Sequence, residues 1–216
     1  MQQLNREIKG ALFDLDGVLV NSEPLYTGFW ESIERLYPTG IPDYAQVIKG
    51  TNLKAILLHY DSEDVRKDIV RRLNEFQANM KFDLFPGALE LLQYLRENKI
   101  LTAIFTSSDN EKMTKFWEQH SQLKAMVDAV VTGSMVSRSK PDPEGYIMAA
   151  EALGLRPEEC MVVEDSFQGL ESGRRSGAYV VGLATTNSAA SLEGRADIVF
   201  PTVKDLFDCF RDGRIG

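Results

Sequence analysis

Short apolar runs closed by polar residues alternate along this chain with stretches whose apolar residues recur three and four positions apart. Ile8, Ala11, Leu12 and Phe13 make the first run, just before Asp14 and Asp16. Others cover 101–105, 130–132, 160–163, 178–183 and 197–200. Runs this short and this continuously apolar suit strands buried on both faces, the condition of a parallel sheet. Between them a helix is expected from Pro86-Gly87 through Asn98, another over 110–119, and a third over 142–153 ended by Gly154. The alternation predicts an α/β fold, with a parallel sheet between layers of helices.

Residues 20–84 depart from that alternation. Ser22-Glu23-Pro24 supplies a helix N-cap and an early proline, and Phe29, Trp30, Ile33, Leu36 and Tyr37 follow at helical spacing. Residues 44–60 and 64–80 predict two further helical stretches, with loops at 39–42 and around 61–62. This part has its own apolar residues and reads as a small helical insertion. It is entered near Val20 and left near Leu84-Phe85-Pro86-Gly87, two linkers able to act as hinges. The expected division is 1–19 with 85–216 for the α/β core, and 20–84 for the insertion. Segments 185–188 and 211–214 are the expected mobile surface pieces.

Composition narrows the class. A chain of 216 residues can bury a full core, and 44% hydrophobic with 26% charged residues is ordinary for a globular protein. A net charge of -8 argues against general nucleic-acid affinity, which needs a basic face, while leaving room for a local cationic pocket. No apolar stretch approaches the roughly 20 residues of a membrane-spanning helix, so no membrane partner is expected. The first residues lack the apolar core of a signal peptide, and Cys160 and Cys209 form no metal or redox spacing. A monomer in a reducing cytoplasm is the expected setting.

The first run carries Asp14 and Asp16 to the C-terminal end of its strand, the end that faces the ligand crevice in open α/β sheets. On extended backbone, side chains two positions apart share a face, so these carboxylates crowd each other without a cation. Mg²⁺, a hard ion that prefers oxygen, can take Asp14 and the Asp16 carbonyl, leaving the Asp16 side chain free to carry a proton. Gly17 permits the sharp turn that follows. Taken by itself, the motif is explained as well by two solvated acids at a strand end. Three later strand ends add polar chemistry. Thr106-Ser107-Ser108-Asp109 is a hydroxyl-rich turn whose N–H groups open a helix and can cradle a phosphate. Lys140-Pro141-Asp142-Pro143 sets a lysine just before a helix start, and Glu164-Asp165-Ser166 is a second acidic pair after a buried run.

Taken in order, Asp14-Leu15-Asp16-Gly17-Val18, Thr106, Lys140 and Glu164-Asp165 resemble the four motifs of the haloacid dehalogenase superfamily of phosphotransferases, over nearly the whole chain. The stretches at 140–143 and 164–169 further resemble its β-phosphoglucomutase-like branch. The resemblance implies a Rossmann-like core with a small α-helical cap that closes over the catalytic edge. It implies a phosphoric monoester hydrolase dependent on Mg²⁺ that acts on a small phosphorylated substrate through an aspartyl-phosphate. Asp14 would be the nucleophile, and Asp16 would protonate the leaving oxygen and then deprotonate water. Asp14, Asp16 and Asp165 would hold the metal, with Glu164 behind them or as an alternative ligand. Thr106 and Lys140, with Ser107 and Gly17, would hold the phosphoryl group.

Two departures from that branch bear on the substrate. Alignment of the first motif sets Tyr26 where the mutase carries a histidine, and alignment of Lys49-Gly50 sets Leu53 where it carries an arginine for the second phosphate. Leucine cannot replace a cationic clamp. Hydrolysis of a sugar or polyol phosphate is therefore expected, with a mutase and then a pyrophosphatase as alternatives. Tyr26, Lys49, Thr51 and Asn52 are the candidate contacts to the leaving group. The non-enzymatic alternatives are a receiver-like module, which would lack the second acidic pair on a late strand, and a silent phosphate-binding protein. His59 and His120 have no partner at diagnostic spacing, and Phe29 and Trp30 read as core.

Overall fold

The computed structural model describes residues 7–48, 51 and 53–213. Among them lie the strands β1 (Gly10–Phe13), β2 (Leu101–Phe105), β3 (Ala129–Val131), β4 (Cys160–Glu164), β5 (Tyr179–Leu183) and β6 (Ile198–Phe200). They form one sheet in the order β3-β2-β1-β4-β5-β6, every pairing parallel. From β1 the chain builds outward to β2 and β3, then returns to add β4 on the other side. That reversal beside β1 is the switch point at which an open α/β sheet leaves a crevice.

Between β1 and β2 the chain is helical: α1 (Glu23–Leu36), α2 (Tyr44–Val47), α3 (Leu53–Leu57), α4 (Glu63–Ala78) and α5 (Ala88–Glu97). Phe29, Trp30, Ile33, Tyr44, Ile48, Ile56, Ile69 and Leu73 bury one another in a cluster of their own, and Tyr26 and Phe76 pack against both this cluster and the main core. The segments entering and leaving the insertion run side by side. Val20 and Leu84 form an antiparallel bridge, flanked by Asn21 N–H to Asp83 C=O at 2.8 Å and Phe85 N–H to Leu19 C=O at 2.9 Å.

Two expectations about this region need correction. Among the described residues, 44–60 are not one helical stretch but two short helices with Ile48 and Thr51 outside both, where β-branched side chains at 47, 48 and 51 weaken helix propensity. Ser22 occupies the N-cap position of α1 without capping it: its backbone is helical rather than extended, and its hydroxyl is turned to donate to the Asp16 carboxylate. Leu36 closes α1, as its spacing predicts, but is 51% exposed, so the buried stripe of that helix ends at Ile33.

The remaining helices are α6 (Asn110–Gln119), α7 (Ser121–Lys124), α8 (Glu144–Ala152), α9 (Phe167–Ser176), α10 (Ala189–Leu192) and α11 (Val203–Arg211). Strand side chains alternate between the two helical layers, as a period of two requires. Phe13, Ile104, Val163 and Val181 pack with Leu91 of α5, Phe116 of α6 and Leu206 of α11. Leu12, Phe105 and Val162 pack with Tyr146 and Ala149 of α8 on the opposite face. With both faces covered, the polar residues after β1, β2 and β4 are left at one edge. Segment 185–188, expected to be a mobile surface piece, is fastened to that edge: Thr185 Oγ1 donates to Gly17 C=O, and Asn187 Nδ2 donates to Asp165 C=O at 2.9 Å.

Candidate active site

Asp14 follows β1 directly, and its N–H is fixed by Val163 C=O at 3.0 Å. Lys140, from the loop between β3 and α8, brings its Nζ to 2.6 Å from Asp14 Oδ1 and 2.6 Å from Glu164 Oε1. The same ammonium lies 4.7 Å above the Phe105 ring and 5.2 Å from that of Tyr146, so its stem is packed and its direction set. Glu164, the last residue of β4, is fully buried and accepts from five donors: Lys140 Nζ, Tyr146 OH, Asp165 N–H, Ser166 N–H and Ser166 Oγ. Gly169 makes room for it, because a Cβ there would stand 1.8 Å from the carboxyl group. Gly17 does the same for Asp165. Its φ of 82° favours glycine, and a Cβ would lie 2.0 Å from Asp165 Oδ2.

The charges are unequally compensated. Burial, reinforced by Glu164 and Asp16 against the pull of Lys140, pushes the Asp14 carboxyl up to about 7. Burial and the neighbouring Glu164 and Asp14 carboxylates push Asp165 well above the usual range. Glu164 is also buried, but Lys140 and the hydrogen bonds around it hold its carboxyl below the ordinary value. Asp14, Glu164 and Asp165 each offer an oxygen, all buried and all within 4.8 Å of one another. Two crowded carboxylates that resist ionisation make a site short of positive charge, so these residues fit a divalent cation. Since the Glu164 oxygens are filled by protein donors, Asp14 and Asp165 are the open ligands.

Asp16 faces another way. Its carboxylate accepts from Ser22 Oγ, from Ser108 Oγ at 3.1 Å, and from Lys112 Nζ at 2.7 Å to each oxygen. Burial would raise its pKa, but Lys112 and the two hydroxyls hold it below the ordinary value. The Asp16 side chain, expected to be free, is instead held by Lys112 and two hydroxyls, partners that favour its ionised form. The phosphate cradle expected after β2 also changes. Ser108 N–H is taken by Thr106 Oγ1 at 3.1 Å and Lys112 N–H by Asp109 Oδ1 at 2.9 Å, so the start of α6 is capped from within.

A cavity of about 530 Å³ opens over this edge. Asp14, Asp16, Thr106, Ser107, Lys140 and Asp165 line its floor, while Glu164 lies behind it and Gly17 forms the adjoining turn. Tyr26, Trp30, Thr51, Leu53 and Gln77 of the insertion line the opposite wall. Trp30 thus serves both as insertion core and as cavity wall. Lys49 and Asn52, also candidates for that wall, lie outside the described residues. His59 and His120 keep structural company, with Tyr44 OH 3.1 Å from His59 Nδ1 and the Phe82 carbonyl beside His120 Nε2.

Sequence reasoning missed Lys112, the Ser22 contact and the Gln77 wall. One signal was available. A lysine in the first turn of a helix opposes the helix dipole, so its presence in α6 called for a nearby anion.

The comparisons agree with this geometry. The model of the haloacid dehalogenase-like hydrolase family matches residues 8–177. Hexitol phosphatase A of Escherichia coli (strain K12) is 33% identical over 203 residues, covering 92% of this chain and 93% of the relative. Validoxylamine A 7'-phosphate phosphatase of Streptomyces hygroscopicus subsp. limoneus is 31% identical over 207 residues, covering 92% and 94%. Among solved structures, a HAD family hydrolase from Deinococcus radiodurans R1, with bound phosphate and sodium, superposes with a TM-score of 0.78 at 26% identity, covering 97% of this chain and 98% of that one.

Proposed function

The chain belongs to the haloacid dehalogenase-like hydrolases and is a phosphoric monoester hydrolase, and from that premise we propose that it releases phosphate from a small sugar or polyol monophosphate through an aspartyl-phosphate on Asp14. One observation carries the reading: two carboxylates at a single sheet edge have opposite surroundings, Asp14 crowded by acids beside Lys140 and Asp16 enclosed by Lys112 and two hydroxyls. Asp14 belongs to the buried Asp14–Glu164–Asp165 group beside Lys140, where a divalent cation and the ammonium would ionise it for attack. Asp16 stands outside that group, beside the lysine that faces Tyr26 on the wall where a leaving oxygen would rest. Relatives named for hexitol, validoxylamine and carbohydrate phosphates support the substrate class.

When bound, a divalent metal, which we assign as Mg²⁺, would be held by Asp14, Asp165 and the Asp16 carbonyl and would neutralise the charge shared by carboxylates and phosphate. Lys140 and Thr106, with Ser107, hold the phosphoryl oxygens, and Glu164 keeps the Lys140 ammonium in place. Asp14 Oδ attacks phosphorus as the bond to the leaving oxygen breaks. Asp16 supplies the proton to that oxygen, having taken it from solvent as the anionic phosphate enters beside it, since added negative charge raises a carboxyl pKa. In the second half Asp16 removes a proton from water, whose oxygen attacks phosphorus and releases Asp14. We further assign residues 20–84 as the cap and 1–19 with 85–216 as the catalytic core, a division supported by the separate apolar cluster and the paired linkers.

Water is the acceptor in this proposal because the cap wall, among the described residues, offers neutral groups such as Tyr26, Trp30, Leu53 and Gln77 where a bisphosphate needs a second cation. The test is release of inorganic phosphate from a panel of sugar and polyol monophosphates, nucleotides and pyrophosphate in the presence of Mg²⁺. A parallel reaction contains β-glucose 1-phosphate with catalytic 1,6-bisphosphate. Glucose 6-phosphate formed with little free phosphate would overturn the hydrolase reading in favour of a mutase.

A further inference from the structure

We propose that Lys112 is a positioning residue that ties the Asp16 carboxylate to the wall of the cavity formed by residues 20–84, so that seating of the leaving group and alignment of Asp16 are coupled. Lys112 belongs to the core through α6, and its side chain is 3% exposed. Its ammonium contacts both Asp16 oxygens at 2.7 Å and lies 4.7 Å from the centre of the Tyr26 ring. Tyr26 is on α1, and its hydroxyl accepts from Gln77 Nε2 of α4 at 3.1 Å. Asp16, Lys112, Tyr26 and Gln77 all line the cavity. A leaving group resting on Tyr26 and Gln77 therefore presses on the cation that orients Asp16.

The fold itself gives little reason for a lysine here. Met113 and Phe116 already supply the buried face of α6, and an apolar residue would fill the space without burying two charges. The start of a helix is also an unfavourable place for a cation. Lys140 serves the other carboxylate, at Asp14, so the two acids are oriented by separate lysines from separate elements. The ring of Tyr26 suits the remaining face of the ammonium, an attraction that strengthens away from water.

This inference rests on the reading of Asp16 as the proton carrier. The experiment measures kcat and KM for Lys112→Met, Lys112→Arg, Tyr26→Leu and the Lys112→Met/Tyr26→Leu double variant. The substrates are the best sugar or polyol monophosphate of the panel and p-nitrophenyl phosphate, whose leaving group needs no proton. Lys112→Met should lower kcat on the sugar ester by about 10²-fold and by less on p-nitrophenyl phosphate. Lys112→Arg should recover part of the loss. Tyr26→Leu should lower kcat by about tenfold, and the double variant should be no worse than Lys112→Met alone, because residues acting through one link are not additive. Thermal midpoints of each variant separate this from loss of folded protein. If Lys112→Met does not fold, the same cycle is run with Lys112→Arg and Tyr26→Leu. Wild-type kcat in the lysine variants, or losses that simply multiply, would overturn the proposal. Rapid, complete turnover of the sugar ester by Asp16→Asn would instead overturn the reading beneath it.

Discussion

Glu164 holds Lys140 at 2.6 Å from one of its oxygens, and the same ammonium reaches Asp14 at 2.6 Å. The acid at the end of β4 thereby sets the position of the cation that meets Asp14, although 24 residues separate Lys140 from Glu164 and 126 separate it from Asp14. Because Glu164 is saturated by protein donors, this link survives changes at Asp14. Loss of either member of the buried pair leaves an uncompensated charge, at a cost of about 3–5 kcal/mol.

That independence underlies the first prediction. Asp14→Asn should fold like the wild type, since Lys140 keeps Glu164 as partner and the amide fills the same space. Turnover should fall by at least about 10³-fold, because the amide is no nucleophile. Phosphate release and a thermal melt together check both halves. Near wild-type turnover would exclude the covalent route.

Asp16→Asn should fail at a different stage. With a good leaving group the phosphorylated Asp14 can still form, but the base that activates water is gone, so a burst of alcohol followed by slow phosphate release is expected. Rapid quench with labelled phosphate would detect the trapped acyl phosphate. Complete, rapid turnover of every ester would contradict the role given to Asp16.

Metal dependence should vary with pH. In the metal-free protein the Asp14 carboxyl is pushed up to about 7, above its unfolded value. Between roughly pH 4 and 7 the folded state then binds a proton that the unfolded chain does not, so this group's contribution to stability falls as pH rises through that window. Metal and proton compete for the same carboxylates. Chelation by EDTA should abolish activity, added Mg²⁺ should restore it, and the Mg²⁺-induced rise in melting temperature should be larger at pH 8 than at pH 5. An equal rise at both values would show that the metal does not replace that proton.

Glu144 braces the loop that delivers Lys140. It accepts from Ser137 N–H at 2.8 Å, Ser137 Oγ at 2.8 Å and Arg138 N–H at 3.0 Å, and these contacts, the Ser137 N–H first, lower its carboxyl to about 2. A depressed carboxylate stabilises above its unfolded pKa, and that contribution is lost as pH falls from roughly 4.5 toward the folded value. Glu144→Gln should therefore flatten the acid limb of the stability profile in this range. It should also lower kcat at neutral pH modestly by loosening Lys140. Melting temperatures from pH 2 to 7 for both proteins provide the check, and superimposable acid limbs would refute it.

The strands, the parallel class and the order of polar strand ends were legible in the sequence because they are local properties: continuous apolar runs, the residues that close them, and helical spacing between them. Asp14, Thr106, Lys140 and Asp165 could be picked out because each closes or follows such a run, and the strand order then gathers them at one edge. The 44–60 break was harder, since weak propensity in four or five residues is easily outvoted by apolar spacing. What meets each carboxylate was decided only by tertiary structure. Lys112 reaches Asp16 across 96 positions and Thr185 reaches Gly17 across 168; the place of Lys112 in the first turn of α6 called for some anion, but no local pattern says which, and Thr185 is not marked at all. Ser22 had the position of a helix cap, yet its hydroxyl is turned to donate to Asp16, a charge-assisted bond that fixes its direction away from the helix N–H groups. The sequence by itself determined which residue types reach the crevice; strand register and the close approaches allowed by Gly17 and Gly169 decided which donors each acid meets, and hence its charge.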